Sequence, residues 1–171
     1  MISGIPRLVV RPSNKHITAQ IVEAKPEGDH VLASAHSWEL KEFGWKAPCG
    51  NVPAAYLTGL LVGRRAKARG IPTVILDVGL HSKGGGSRIF AAAKGALAGG
   101  IDIPHEEKVI PAPERVQGRH IAEYAKQLSS ESEAYKRAFS QYLKLKIRPE
   151  ELPSHFAEVE SKITGAPMEG H

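Results

Sequence analysis

The sequence predicts an α/β fold, with a mixed sheet that begins as an antiparallel N-terminal meander, helices packed on it in layers, and a helical C-terminal extension. Three observations support this class. Three short β-branched segments separated by polar turns open the chain, a strongly apolar segment follows a long helix, and the last third shows helical patterns. We expect an α/β domain at residues 1–128 and the helical extension, with its acidic tail, at residues 129–171.

The first three strands are predicted at Arg7–Arg11, His16–Val22 and Val31–Ser37, where β-branched residues partly alternate with others. Residues 12–15 have a turn composition, which makes the first two strands a hairpin. Residues 38–50 show no sustained period and contain Gly and Pro, so we expect a long surface loop there.

A helix is predicted from Asn51, a capping residue, to Gly70, which ends it. Gly59 and Gly63 are four residues apart on one face of this helix, a spacing that favours close packing on the sheet. The segment Thr73–Val78 that follows is almost entirely apolar, which is typical of a strand buried on both faces.

The rest of the chain is predicted to alternate between loops and helices. Ser87 is expected to cap a helix that follows a glycine-rich loop, and Ser130 with Glu133 forms a capping-box pattern. The predicted segments are helices at Arg88–Ala98 and Glu114–Leu128, a proline-rich connection at 101–113, a helix that opens at Ser130, and a short acidic helix at Ser154–Ile163.

Composition narrows the class of protein. Of 171 residues, 42% are hydrophobic, which supports a core and excludes a wholly disordered chain. The longest apolar run falls well short of the ~20 residues of a membrane span, and no signal-peptide pattern opens the chain. Cys49 is the single cysteine, which excludes a disulfide framework and a cysteine-based zinc site. We expect a soluble cytoplasmic protein with no membrane partner.

Charge is distributed unevenly along the chain. The formal net charge is +5, but residues 51–100 hold seven Lys and Arg against one acid, Asp77. A basic stretch of this kind indicates either a polyanionic partner or a solvated basic helix end. Charge alone leaves both interpretations open.

The glycine-rich loop is similar to phosphate-binding loops without matching their motifs. Gly79 and Gly84 have the spacing of the nucleotide-binding phosphate loop, but Gly85 and Gly86 stand where that motif requires Lys and Ser or Thr. Ile89 occupies the third glycine position of the dinucleotide fingerprint. The loop therefore indicates a cradle for a backbone phosphate, with a small phosphate- or nucleotide-binding enzyme at Gly79–Ser87 as the alternative. Its candidate binding residues are His81, Ser82, Lys83, Gly84, Gly85, Gly86 and Arg88.

A second polar cluster lies at the predicted hairpin. Arg7, Val9 and Arg11 alternate along a strand and therefore share a face. Two arginines in this position require phosphate or carboxylate partners. The alternative is an ordinary exposed hairpin. The candidate binding residues of this cluster are Arg7, Arg11, Ser13, Asn14, Lys15 and His16.

Catalytic and metal-binding patterns are weaker. No two of the eight histidines have the i,i+3 or i,i+4 spacing of a metal site, and Asp77 is the only acid between Glu42 and Asp102. We therefore predict no enzymatic activity and no metal or cofactor. Three aromatic residues of the 38–50 loop are expected to pack at the domain edge or to stack on bases: Trp38, Phe43 and Trp45.

Several blocks of sequence occur in the order found in one ribosomal protein family. They are Pro6–Arg11, Ser13–Ile17, Ala19 with Gln20, Gly50 with Asn51, Pro53–Gly59, Ile75–Leu80, Phe90–Ala92, Lys94–Ala96, Ile103–His105 and His120–Ala125. On these blocks, which extend over residues 6–128, the chain resembles the archaeal branch of the large-subunit family called L eighteen, or L five in eukaryotes, whose members bind 5S rRNA.

The resemblance implies a three-layer α/β fold and a structural, non-catalytic role in the central protuberance of the large ribosomal subunit. It also implies a monomer within the ribosome, bound to 5S rRNA, with large-subunit rRNA and neighbouring ribosomal proteins as further partners. Both candidate clusters correspond to regions that touch 5S rRNA in the family. Archaeal members usually carry a basic arm before the hairpin, whereas this sequence starts at Met1, close to the first strand, so that either the arm is absent or Met1 is an internal methionine. A protein-interaction role for the acidic C-terminal helices is compatible with this function.

Overall fold

The strands form one mixed sheet within residues 4–80 and 87–168, the part of the chain that the computed structural model describes. β1 (Arg7–Pro12), β2 (Ile17–Lys25) and β3 (Gly28–His36) pair antiparallel in succession. β4 (Ile75–Asp77) pairs parallel to β1, so the order across the sheet is β3-β2-β1-β4. The predicted meander and the mixed character of the sheet are confirmed.

β4 is shorter and more exposed than predicted. It lies at an edge of the sheet, and Ile75 keeps 42% of its surface exposed. The expectation of a strand buried on both faces is wrong, because the fully buried residue of this segment, Val74, precedes β4. Thr73 forms an isolated parallel bridge with Asp102.

Helices occupy most of the remaining described chain. They are α1 (Val52–Ala68), α2 (Arg88–Ala98), α3 (Pro113–Val116), α4 (Arg119–Leu128), α5 (Ser132–Ala138), α6 (Ser140–Lys144) and α7 (Leu152–Gly165), with 3-10 segments at Ser37–Phe43, Glu107–Val109 and Pro149–Glu151. Within residues 4–80 and 87–168, none of them has the length and apolar character that crossing a bilayer demands.

Several local expectations are corrected. The predicted helix Glu114–Leu128 is divided at Gly118, whose φ of +81° separates α3 from α4. The capping box at Ser130 and Glu133 is wrong, because α5 begins at Ser132 and no side chain in the described part caps it.

The predicted loop at residues 38–50 contains a capped 3-10 helix, Ser37–Phe43. His36 Nδ1 accepts the Trp38 N–H at 3.1 Å, and Glu39 Oε1 accepts the His36 N–H at 2.7 Å. This reciprocal arrangement is a capping box in which histidine replaces the usual Ser or Thr, and the substitution hides the motif in the sequence.

α1 and α2 pack with their backbones almost in contact. A Cβ added to Gly59 would lie 1.9 Å from the carbonyl oxygen of Ala92, and one on Gly63 would lie 2.5 Å from that of Ala96. The close packing predicted for these glycines is therefore present, but the expectation that it is against the sheet is wrong, because the partner is α2. The pairing places the N-terminus of α2 near the start of α1.

The C-terminal helices complete the core. Residues 52–63 of α1 are all buried, since the sheet, α2 and the C-terminal helices surround them. From α7, Leu152, Phe156, Val159 and Ile163 join the same hydrophobic cluster as the sheet residues. The layered α/β class and the helical extension are confirmed, whereas the boundary at residue 128 stays a prediction.

Candidate nucleic-acid interface

The hairpin tip, residues 11–16, presents polar side chains at one end of the sheet. The Ser13 N–H donates to the His16 carbonyl oxygen at 2.8 Å, and the His16 N–H donates to Ser13 Oγ at 3.1 Å, which closes the turn between β1 and β2. Arg11, Ser13, Asn14 and Lys15 are exposed. The fold therefore brings together five of the predicted binding residues on a rigid turn.

Arg88 anchors the hairpin tip to the helical layer. Its Nη1 donates to the carbonyl oxygens of Ser13 at 2.6 Å and of Gly50 at 3.1 Å. A Cβ on Gly50 would lie 2.6 Å from the Asn14 carbonyl oxygen, so the tip rests directly on the backbone that precedes α1. Arg88, predicted to touch phosphate, thus holds the tip beside the N-terminus of α2.

His16 lies half-buried behind the tip. Its Nδ1 is 3.4 Å from the hydroxyl of Ser37, which itself accepts the Ile17 N–H at 3.0 Å. The ring also lies 5.1 Å from the ring of His36. Burial lowers the pKa of His16, and the charges of His36, Lys41 and Lys15 lower it further. The imidazole is therefore held neutral, as a hydrogen-bonding group rather than a cation.

Arg7 has carboxylate partners. It forms ion pairs with Asp29 and with Asp77, each at 3.1 Å. The second oxygen of Asp77 accepts the Gly79 N–H at 2.9 Å. Of the two kinds of partner predicted for this arginine, the structure supplies the carboxylate, and Arg7 joins β1 to β3 and β4.

The central residues of the glycine-rich loop, His81, Ser82, Lys83, Gly84, Gly85 and Gly86, lie outside the described residues. Ser87 stands at the N-cap of α2, as predicted, with an extended backbone. It makes no side-chain capping bond, and its Oγ is buried without a hydrogen-bond partner in the described part of the chain. The position of the cap is therefore confirmed, but its hydrogen bond is not.

Most of the described basic residues in the middle of the chain are bonded to the protein's own backbone. Four of them donate to backbone carbonyl oxygens: Arg64 to Ile163 and Ala166, Arg65 to Ser34, Arg69 to Leu32, and Lys94 to Pro111. Arg65 and Arg69 thereby satisfy carbonyls of the edge strand β3, and Arg64 satisfies the end of α7. These side chains therefore stabilise the fold through backbone carbonyl groups, and Arg69 does so as an exposed residue at the end of α1.

The structure shows a second basic surface that the sequence did not predict. Lys15, Lys41, Lys46 and Lys144 line a groove of about 500 Å³, here called the lysine groove, together with His16 and Trp45. It lies between the hairpin tip, the 3-10 helix and α6. Its lysines come from three distant parts of the sequence, so that no local pattern reveals them.

The two tryptophans have different environments. Trp45 is 2% exposed and stacks on His155, with ring centroids 5.1 Å apart, whereas Trp38 is 55% exposed. Phe43 is partly buried against the core. Of the two roles expected for these aromatic residues, packing therefore describes Trp45 and Phe43, and base stacking stays open for Trp38.

Comparison with known proteins gives concordant results. A family model described as "Ribosomal large subunit proteins 60S L5, and 50S L18" matches residues 5–70 and 66–106. The protein named "Large ribosomal subunit protein uL18" from Aeropyrum pernix is 52% identical over 166 residues, which cover 96% of this chain and 78% of that protein. The matched residues include β1 to β4, α1, α2 and the hairpin tip.

Proposed function

The chain belongs to the family of large-subunit ribosomal proteins that comprises L5 of the 60S subunit and L18 of the 50S subunit, and we propose that it binds 5S rRNA and helps to attach that RNA to the central protuberance. Its role is structural rather than catalytic. Large-subunit rRNA and neighbouring ribosomal proteins are its further partners, and it acts as a single copy.

The anchored hairpin tip is the observation that carries this proposal. Arg88 and the close approach at Gly50 fix the turn, so Arg11 and Lys15 project from a backbone already ordered before binding. A preordered turn avoids the entropy cost of ordering a loop on association. Two cations on a rigid turn suit the phosphate backbone of a folded RNA.

The residues of the interface have different roles in this proposal. Arg11 and Lys15 contact phosphates, whereas Ser13, Asn14 and the neutral His16 donate to or accept from 2′-hydroxyl groups and unpaired bases. Residues 81–86, which precede α2 in the sequence, are proposed to contact the same RNA, since the N-terminus of a helix favours anions. Arg88 positions the tip, and Arg7 joins β1 to β3 and β4.

The enzymatic alternative receives no support from the loop's surroundings. Asp77, the acid that a nucleotide-handling enzyme would require there, has one oxygen on Arg7 and the other on the Gly79 N–H. The same contacts fit a structural carboxylate that shapes the turn after β4.

Titration of the full chain with 5S rRNA and with a transfer RNA of similar size, at several salt concentrations, tests the proposal. We expect tighter binding to 5S rRNA that persists at moderate salt. Asn14→Ala reduces the preference for 5S rRNA, while Lys15→Ala weakens binding to both RNAs and lowers the slope of log K against log salt by about 0.9, the value for one phosphate contact.

The matched control is Lys108→Ala, which removes the same charge from an exposed residue of the 3-10 segment Glu107–Val109. It is expected to leave affinity and slope unchanged. Equal affinity for the two RNAs, or equal effects of Lys15→Ala and Lys108→Ala, would overturn the proposal.

A further inference from the structure

The lysine groove begins where the hairpin tip ends. Lys15 and His16 belong to both, and from them the groove runs past Lys41 and Lys46 to Lys144 on α6. All four lysines are exposed, and none of the described residues that line the groove is acidic. The surface therefore continues the positive charge of the tip into the C-terminal extension.

Unlike the arginines of α1, the lysines of the groove donate to no carbonyl oxygen within the residues that the structure describes. The bond of Lys46 to His155 uses its backbone N–H, and Glu158 is the acid whose charge interacts with its ammonium group. Lys41 Nζ lies 6.0 Å from the ring centroid of Trp38, within the range of a cation–π contact. A weakly held cation of this kind exchanges readily for a phosphate contact.

Trp38 adds an exposed aromatic ring beside Lys41, next to the residues that line the groove. The 3-10 helix, capped by His36 and Glu39, fixes its backbone, yet more than half of its surface is exposed. Tryptophan is usually well buried, so an exposed indole on an ordered segment next to cations is unusual. Grooves for single-stranded nucleic acids combine these two features, cations for the backbone and aromatic rings for the bases.

We propose that the lysine groove binds an unpaired RNA strand, with its phosphates at Lys41, Lys46 and Lys144 and one base stacked on Trp38. The inference rests on the proposed function for the nature of the partner, since the strand continues from the RNA held at the hairpin tip. It assigns to the C-terminal extension, through Lys144, a direct part in RNA binding.

An unstructured oligouridylate, added to the full chain at low salt, tests this inference without requiring 5S rRNA recognition. The decisive variant is the triple substitution Lys41→Ala/Lys46→Ala/Lys144→Ala, which leaves the hairpin tip intact. We expect it to weaken binding at least tenfold and to lower the salt slope by about 2, at about 0.7 for each phosphate of a single strand. The matched control is Lys108→Ala/Lys126→Ala/Lys136→Ala, which removes three exposed lysines elsewhere and is expected to retain affinity.

Trp38 supplies an independent readout. Binding of the oligouridylate is expected to quench tryptophan fluorescence, and Trp38→Phe is expected to abolish the quenching while keeping most of the affinity. Trp38→Ala is expected to lose affinity about tenfold, since stacking a base on an aromatic ring contributes ~1–3 kcal/mol. Trp45 lines the groove, so its emission is recorded before the oligouridylate is added, as the check that each variant is folded.

Three outcomes would overturn the inference: no binding of the oligouridylate, equal effects of the two triple substitutions, or tighter binding of a blunt RNA duplex than of the single strand. Each of them leaves the 5S rRNA titration to decide the proposed function separately. Conversely, a chain that binds the oligouridylate in the groove but does not prefer 5S rRNA keeps the inference and loses the proposed function.

Discussion

Two sets of cations on this molecule differ in the groups to which they are bonded. The arginines at the end of α1 donate to carbonyl oxygens of β3 and of the end of α7. The cations of the hairpin tip and the lysine groove are exposed. The basic stretch that dominates the sequence is thus largely structural, and the proposed interface lies where the sequence is less conspicuously charged.

Arginine supplies the cations that bond to carbonyl groups, and lysine supplies most of the exposed cations. A guanidinium group has five N–H donors in a planar fork, so that one arginine can satisfy two carbonyl groups at once, as Arg64 and Arg88 do. Lysine is a compact, strongly hydrated charge that loses little by staying in water. The net charge of a segment therefore indicates an RNA interface only when the cations bonded to the protein's own carbonyl groups are left out of the count.

The largest effect is expected at the anchor of the hairpin tip, where the arginine Arg88 holds the exposed cations in place through two carbonyl groups. Arg88→Ala removes two charge-assisted hydrogen bonds, and we expect it to lower the free energy of unfolding by ~2 kcal/mol and 5S rRNA affinity about tenfold. Urea denaturation and RNA titration measure the two effects.

Gly50→Ala is the control for the anchor, because it removes no charge. Its Cβ would displace Asn14 and the tip, so 5S rRNA affinity is expected to fall here too. If Arg88→Ala weakened binding without reducing stability, and Gly50→Ala had no effect, Arg88 would be a phosphate contact and not an anchor.

Arg64→Ala is expected to change stability alone. It frees the carbonyl oxygens of Ile163 and Ala166 at the end of α7, which corresponds to a loss of ~1–3 kcal/mol. Because the guanidinium group is bonded to the end of α7 and Arg64 is not among the residues that line the lysine groove, 5S rRNA affinity and its salt slope are expected to stay at the wild-type values. A lower salt slope in this variant would show that a positive charge outside the proposed interface also contributes to RNA binding, which would contradict the assignment of the interface.

Arg7→Ala distinguishes the two partners predicted for this arginine. Its ion pairs with Asp29 and Asp77 are partly exposed, so the expected loss of stability is ~1 kcal/mol or less. With carboxylate partners, its removal is expected to leave the salt slope of 5S rRNA binding unchanged. A slope reduced by about 0.9 would instead assign Arg7 to a phosphate.

The smallest effect concerns pH. Burial is the main cause that lowers the pKa of His155, whose Nε2 accepts the Lys46 N–H at 2.9 Å. The pKa of His155 is lower in the folded than in the unfolded chain. The contribution of the neutral imidazole to stability is therefore complete above about pH 6.5 and is lost as the pH falls through the folded pKa.

The substitution His155→Gln tests whether His155 causes part of this pH dependence, because the glutamine side chain does not titrate. Unfolding measured between pH 7.5 and 5.5 is expected to show a shallower decline in this variant than in the wild type. His16 and His120 also have lowered pKa values and keep their own share of the decline. Identical pH profiles of the two proteins would show that His155 does not contribute to the pH dependence of stability.

Local sequence was sufficient for the meander and its turn. Turn residues at Pro12–Lys15 lie between β-branched segments, and Asn51 caps α1 through its side chain, with Oδ1 accepting the Ala54 N–H at 2.9 Å. Turns and helix caps depend on residues only a few positions apart, so the local sequence predicts them. The glycine-rich loop is conspicuous in the sequence because its glycines are also close together.

The features that the sequence concealed all depend on distant residues. Arg88 reaches a carbonyl oxygen 75 positions away, and the lysine groove assembles Lys15, Lys41 and Lys144 from three segments. The small residues of α1 favoured close packing, but their pattern did not specify whether the partner was the sheet or α2. Periodicity and composition carry no information about such pairings.

The most direct test compares two double substitutions that each remove two positive charges. Arg11→Ala/Lys15→Ala alters the hairpin tip, and Arg65→Ala/Arg69→Ala alters two arginines that donate to carbonyl oxygens of β3. The measurement is the slope of log K against log salt for 5S rRNA, on protein shown to be folded. The account predicts a slope lower by about 2 for the tip variant and unchanged for the α1 variant. Equal reductions in both would contradict it.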